Sequence, residues 1–466
     1  MNARNWWLMI SVGLGVMLNP LNSSMVAVAI PRLQQAFKLE FTVVSWIIFS
    51  FYIGSAIAQP VMGRASDIFG RRRIFLAGLV IVFAASVLTP LSSGFGGLIF
   101  LRVVQSVGTS MVVAVGMAII RVNITDKQAS ALSVLSMFTS GAAAVGPFVG
   151  GVLVHVWGWS SIFYINLPFV TASFLLAWRT IPQDKPSAAI VPKLSLREWM
   201  SRIDVPGILL FTTGLVAVLA QMLSAKSSGH VSLFNIITGL AGLVLLIVFV
   251  RHELSTAMPF IPLRALANSP GLIRVNAGFM LVNLAFYSVF FGLPSYLQLV
   301  RQISEFHTGL LMLSLGLSSL AVSPLAGRWI DASGPRPAQT VSAILMAIGS
   351  VWIVLLNPVS PLISIILVLA AFGISNGLIN VAMQAALFNH SPKELIGVTS
   401  GLFSTSRYFG TILSSLLIGI IMGNSFSFRG FQVMGMFLAG IALCLVFMSR
   451  WHSSKPKDSR HSLNDR

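Results

Sequence analysis

Pro60-Val61-Met62-Gly63-Arg64-Ala65-Ser66-Asp67-Ile68-Phe69-Gly70-Arg71-Arg72 returns 264 residues further on as Pro324-Leu325-Ala326-Gly327-Arg328-Trp329-Ile330-Asp331-Ala332-Ser333-Gly334-Pro335-Arg336. Pro, Gly, Arg, Asp, Gly and the final Arg match in register, a coincidence too long to arise by chance in one chain. A basic loop that only fixes topology explains the arginines. It does not explain a repeated Asp and two repeated glycines. The chain is therefore built from two equivalent halves, a common plan among membrane transporters. Each copy is expected on a loop between two helices, where glycine permits a tight turn and the aspartate caps a helix or pairs with an arginine.

The surroundings of both copies are apolar. Of 466 residues 56% are hydrophobic and 9% charged, with a mean hydropathy of +0.87, whereas soluble domains carry about 25% charge. A bilayer-spanning helix needs about 20 apolar residues, so fourteen spans take about 280 and leave no room for a large soluble domain. The net charge of +18 could suggest nucleic-acid binding, but that needs a basic face on a folded, water-exposed domain. No nucleic-acid partner is expected.

Stretches without Asp, Glu, Lys or Arg mark where hydrocarbon can lie. They place spans at 8–30, 43–62, 74–92, 97–120, 131–155, 161–178, 206–224, 232–250, 276–299, 308–326, 338–356, 362–384, 398–421 and 430–449. With both termini cytoplasmic, 23 of the 30 basic residues fall inside and 5 outside, and Arg102 and Arg407 lie within spans. This bias is the one that orients membrane proteins. The expected organisation is a six-helix bundle over 1–178, a cytoplasmic linker 179–205, inserted helices over 206–250, a second linker 251–275, a six-helix bundle over 276–449 and a cytoplasmic tail 450–466.

At this point the chain resembles a family. Gly63-x3-Asp67-x2-Gly70-Arg71-Arg72 is similar to the signature loop of the major facilitator superfamily, with Gly327, Arg328, Asp331 and Gly334 as its second copy. Fourteen spans with a two-helix insertion resemble that family's fourteen-helix drug:proton antiporter branch. Arg102-x2-Gln105-x2-Gly108 resembles the fourth-helix motif, and Gly141-x4-Gly146-Pro147-x2-Gly150-Gly151 the fifth-helix antiporter motif. Phe163-x2-Asn166-x-Pro168 and Ser400-Gly401-Leu402-Phe403-x3-Arg407-x2-Gly410 resemble segments of the sixth and thirteenth helices. The resemblance implies an all-α polytopic fold of two six-helix bundles plus two helices, and a proton-coupled efflux transporter of small amphipathic molecules, including antibiotics. It also implies a role in proton transfer for Arg102. The chain departs from the branch in its first helix, where an acidic residue is usual and Leu21-Asn22-Ser23 stands instead. Ser106 replaces a fourth-helix glycine, and Trp159-Ser160-Ser161 a Trp-Arg-Trp.

The interior chemistry is sparse. All twelve acids fall in loops or at span ends, so the buried carboxylate on which a cation pump holds substrate and proton is missing at mid-membrane. Arg102, Gln105 and Arg407 are the coupling candidates; the alternative for either arginine is a structural group bonding carbonyls or hydroxyls. Polar residues at helical spacing nominate a cavity: Asn376, Asn380 and Gln384 on span 12, Asn283 and Tyr287 on span 9, Asn22 with Asn19 and Ser23 on span 1, and Tyr52 on span 2. Hydrogen-bond glue between helices is the competing account. Gly146-Pro147, with Gly141, Gly150 and Gly151, reads as a hinge or close-packing site.

Other chemistries find no residues. No lysine follows a glycine, so no phosphate-cradling Gly-Lys-Ser/Thr loop exists. His252-Glu253 lacks the second histidine of a zinc helix, and Cys444 is the one cysteine. No cofactor, metal or enzymatic activity is expected. The expectation is a monomeric transporter in the cell membrane whose partners are a small-molecule substrate, the bilayer and protons. Uptake, uniport or export of a neutral or anionic metabolite or lipid is the alternative, and a non-transporting sensor or scaffold the third.

Overall fold

In lipid, every backbone N–H and C=O must be satisfied within the segment itself, so the charge-free runs become helices. The computed structural model describes residues 3–124, 128–183, 204–227, 233–256, 259, 261, 263–264, 269–391, 396–422 and 427–450. Span 1 is Ala3–Val16 and Leu18–Phe37, continuous through Met17. After a short turn of helix at Phe41–Val44 come span 2 Trp46–Phe69, span 3 Arg71–Leu88, span 4 Phe95–Asn123 and span 5 Gln128–Trp157. Span 6 is Ser161–Tyr164 with Asn166–Thr180; spans 7 and 8 are Val205–Ser227 and Leu233–Ser255. Spans 9 to 14 are Pro270–Leu299, Glu305–Ser333, Pro335–Leu355, Leu362–His390, Ile396–Met422 and Phe428–Arg450. Among the described residues thirteen helices are long and apolar enough to cross a membrane. Span 7 adds an apolar stretch at Val205–Val218.

The motif copies correct one expectation. They are largely helical, because span 2 runs to Phe69 and span 10 to Ser333, and only Gly70 and Gly334 break the path, at φ +101° and +78°. Charged residues end the membrane-embedded part of a helix without ending the helix. The left-handed backbone at these two positions is where glycine is required. Gly63 and Gly327 sit mid-helix with open space beside them. The side chains of Arg64 and Asp67 lie outside the described residues, as do most of linker 179–205 and nearly all of the tail 450–466.

The repeat extends to packing. Span 4 lies against spans 2 and 3, span 6 against 1 and 3, and span 5 against 1. Eight spans later, 12 lies against 10 and 11, 14 against 9 and 11, and 13 against 9. Lys38 and Gln302, also 264 apart, both adopt left-handed φ at the ends of spans 1 and 9. The halves meet through span 5 on 10, span 2 on 13 and span 1 on 9, while spans 7 and 8 pair with each other and span 7 touches span 13.

Candidate functional site

Where the halves meet, one end is shut. Gln298 Nε2 on span 9 donates to the Val28 carbonyl on span 1 at 3.0 Å. Arg32 Nε pairs with Glu305 Oε1, and His155 Nδ1 lies 3.5 Å from Glu305 Oε2. A carboxylate of the second half is thus clasped by two basic residues of the first. Beneath it, spans 5 and 10 touch main chain to main chain: Gly151 against the Glu305 carbonyl, Gly309 against that of Pro147, Gly316 against Ala144. The fifth-helix motif therefore lies in a seam, with Gly146 and Gly150 packed on Ser24 and Met25 of span 1 and Pro147 inside an unbroken helix. Gly141, toward the Arg-motif end, has nothing within 4 Å. The seal belongs to the face of the 38–40 and 301–304 turns, opposite the face bearing Gly70 and Gly334.

Further in, an aromatic and cationic cluster bridges the halves. The Tyr52 ring from span 2 lies 6.0 Å from Tyr287 of span 9 and 5.9 Å from Tyr408 of span 13. Phe286, Phe290 and Phe291 continue the wall, with Phe286 5.3 Å and Phe291 5.6 Å from Tyr287. The Arg407 guanidinium lies 5.2 Å from the Tyr408 ring, near Tyr287 and Tyr52. Gln59, from the first half, donates to the Tyr408 hydroxyl. Tyr52 is buried, and its hydroxyl has no hydrogen-bond partner although Ser23 and Tyr287 are its polar neighbours. A partly accessible cation surrounded by π faces and phenols can hold a flat amphipathic solute by stacking and hydrogen bonding.

The other predicted coupling residues form a separate, buried network inside the first half. Arg102 is 1% exposed; its Nη1 donates to Gln105 Oε1 at 2.7 Å, and it stacks 4.4 Å over the Phe51 ring. Gln105 Nε2 donates to Asn22 Oδ1 and Ser86 Oγ, both at 3.2 Å. Asn22 and Asn166 exchange amide hydrogen bonds of 3.0 and 2.9 Å. This chain of neutral amides ties spans 1, 3, 4 and 6 together. It places Asn22, 2% exposed, within the core of the first bundle, among Gln105 and Asn166.

The remaining candidates disperse. Asn283 bonds the Phe279 carbonyl of its own helix and packs on Gly410. Asn376 donates to Ser319 Oγ across to span 10, and Asn380 donates to Asn376, so this stripe acts in part as helix glue. Gln384 is exposed near the span's end. Arg72 Nη2 donates to the Trp178 carbonyl, fastening span 3 to span 6, while Arg328 and Asp331 are exposed. Sequence reading missed Gln59 and Tyr408. Gln59 stands seven residues after Tyr52, hence on the same helix face, and Tyr408 adjoins Arg407.

Two repeated sets of six helices and an inserted pair, thirteen of them long and apolar enough to cross a membrane among the described residues, meet around a polar centre with a seal at one end and define a polytopic membrane transport protein. The family profile described as Major Facilitator Superfamily matches residues 12–415. The uncharacterized MFS-type transporter YwoD of Bacillus subtilis (strain 168) is 42% identical over 94% of this chain and 95% of its own length. The chain belongs to the major facilitator superfamily, a family of transporters and not of enzymes; it takes a small-molecule substrate and works within a lipid bilayer. Multidrug resistance protein Stp of Mycobacterium tuberculosis (strain CDC 1551 / Oshkosh) is 25% identical over 91% of this chain and 76% of that protein. The fold is shared with an inward open conformation of the xylose transporter XylE from E. coli, at a TM-score of 0.65 and 16% identity over 97% of this chain and 98% of that one.

Proposed function

We propose that this protein is a proton-driven exporter of small amphipathic molecules, working as a monomer in the cell membrane by alternating access, with both termini and the Arg-motif face cytoplasmic. The two six-helix bundles are residues 1–178 and 276–449, which rock about the cluster described above; 206–250 is the insertion. The observation that carries the reading is the Tyr52–Tyr287–Tyr408–Arg407 cluster, contributed by both halves directly below a closed seam. A flat solute with an apolar body fits such a wall. The likeness to proteins named for multidrug resistance supports this substrate class, and the Lys/Arg bias supports the orientation.

Reconstituted vesicles under an imposed pH gradient test it. Flux of a lipophilic fluorescent dye is expected to rise when protons can run opposite to export. Flux indifferent to the gradient would overturn proton coupling, and absence of dye flux would overturn the substrate class. A second reading, transport of a neutral or anionic metabolite, draws on Arg407, a cation on the cluster with no carboxylate beside it among the described residues. In that case Arg407→Gln raises the KM for the anion about tenfold, equivalent to about 1.4 kcal/mol, and leaves cationic dyes unaffected.

A further inference from the structure

The repeat makes span 2 equivalent to span 10 and span 5 to span 13, so the span 2–13 seam and the span 5–10 seam are counterparts at the 264-residue offset. They are built differently. Where Gly316 presses on Ala144 in the span 5–10 seam, the equivalent residues across the span 2–13 seam are Tyr52 and Tyr408, with ring centroids 5.9 Å apart. Small residues let helices meet main chain to main chain, whereas two tyrosines hold them apart. The flanks differ as well. Val145 and Leu325, beside the span 5–10 seam, are 38% and 61% exposed; their counterparts are Phe409, packed into an apolar cluster, and Val61, 9% exposed. What covers them is the insertion. The buried Phe211 ring of span 7 lies 5.4 Å from Phe409 of span 13 and 5.4 Å from Phe249 of span 8, in one cluster with Ile57, Val61 and Met62 of span 2. Phe211 thus bridges both halves from behind the functional site: Tyr408 meets Gln59 on one side of span 13, and the adjacent Phe409 meets Phe211 on the other. Span 7 also touches the short helix Phe41–Val44, so it follows the seam toward the sealed face. Span 8 backs it, with Gly214 against the Gly242 carbonyl and Gly242 against that of Gly214, and turns Leu240, Leu243, Val244 and Ile247 outward.

We propose that the two-helix insertion is a lateral lid: span 7, held by span 8, keeps the acyl chains of the bilayer out of the span 2–13 seam and away from Tyr52, Tyr408 and Arg407 behind it. The chemistry of the seam requires one. Hydrocarbon penalises a cation or an unpaired hydroxyl, and a seam held apart by aromatic rings gives an acyl chain room that a glycine contact does not. The span 5–10 seam closes on main chain and is left bare at Val145 and Leu325. Its counterpart closes on side chains and is covered. The lid is also compatible with movement, because span 7 rests on both halves through apolar side chains whose contacts are non-directional. The halves can rock beneath it while the seam stays covered. Solutes then reach the tyrosines along the interface between the halves and not from the lipid beside spans 2 and 13. That consequence rests on the alternating-access reading above; the lid itself does not.

An apolar carbene-generating photoreagent dissolved among the acyl chains of phosphatidylcholine and phosphatidylglycerol liposomes that hold the full chain tests the lid, with labelled positions read by peptide mass spectrometry. In the wild type, label is expected on Val145 and Leu325 and on Leu240 and Leu243 of span 8, and several-fold less on Phe409 and Val61. In the Phe211→Ala, Phe249→Ala double variant, label on Phe409 and Val61 is expected to rise to the level of their counterparts, while Leu240 and Leu243 keep theirs. The wild-type comparison needs no variant and decides the matter if the double variant misfolds. Wild-type Phe409 and Val61 labelled as strongly as Leu325 and Val145 would overturn the proposal, and so would a double variant with the span 8 pattern intact and both residues still protected. If the labelling follows the lid while dye flux ignores an imposed pH gradient, the lid stands and proton-driven export fails.

Discussion

At the scale of single residues, Asn22 shows how position and partner decide role. An acid is usual at this place in the resembling branch; here an amide pairs reciprocally with Asn166 and joins Gln105 to Arg102. Asn166→Leu removes both hydrogen bonds exchanged with Asn22, leaving that amide only Gln105 and the Leu18 carbonyl as partners, and is expected to cost about 1–3 kcal/mol. Polar pairs inside membrane bundles couple by about 0.6 kcal/mol on average, so a double cycle with Asn22→Leu, read by reversible unfolding in mixed micelles, should return a coupling of that order. No coupling would mean the amides are independently solvated. Arg102→Ala is expected to abolish gradient-driven flux at normal expression, and unchanged flux would remove Arg102 from the mechanism. The polar stripe on span 1 was legible in the sequence because amides are rare in apolar runs. Its direction was not, since Asn22 and Ser23 are adjacent and only tertiary packing turns one into the bundle core and leaves the other beside Tyr52.

At the scale of helices, charge-free runs marked the spans well because hydrocarbon penalises charge. They marked helix ends poorly, because helices continue into water: span 2 reaches Phe69 and span 10 reaches Ser333, through the arginines and aspartates of the repeated motif. Glu305 illustrates a further limit. Read along the chain it is an outer loop acid; in the fold it opens span 10 and receives Arg32 and His155 from the other half. Contacts between halves leave no periodic trace in a sequence. Glu305→Gln removes the charge that holds this clasp and should populate the state open on that face. Gly309→Val should do the same sterically, because the Pro147 carbonyl and Phe148 backbone occupy the space of its side chain. In a Cys444→Ala background, Gln298→Cys should then react with an impermeant thiol reagent added from the clasp side, several-fold faster than in the parent. Equal rates would show that the seam does not gate access.

At the scale of the whole molecule, the repeat foretold more than a motif. Packing partners recur eight spans apart, and Lys38 with Gln302 repeats the left-handed turn at the same 264-residue offset as Gly70 with Gly334. The proposed orientation rests on the distribution of Lys and Arg: it predicts that a label on Lys226 reacts from outside the cell and one on Lys393 only from within, and the reverse pattern would invert the topology. The seam of spans 5 and 10 bears on the cell's energetics as well. Gly151, Gly309 and Gly316 press main chain on main chain, leaving no room for a file of water molecules. An idle carrier sealed this way insulates the membrane, so many copies can reside there without short-circuiting the ion gradients across it. Gly309→Val vesicles loaded with a pH-sensitive dye should acidify faster than wild type even with no solute to carry.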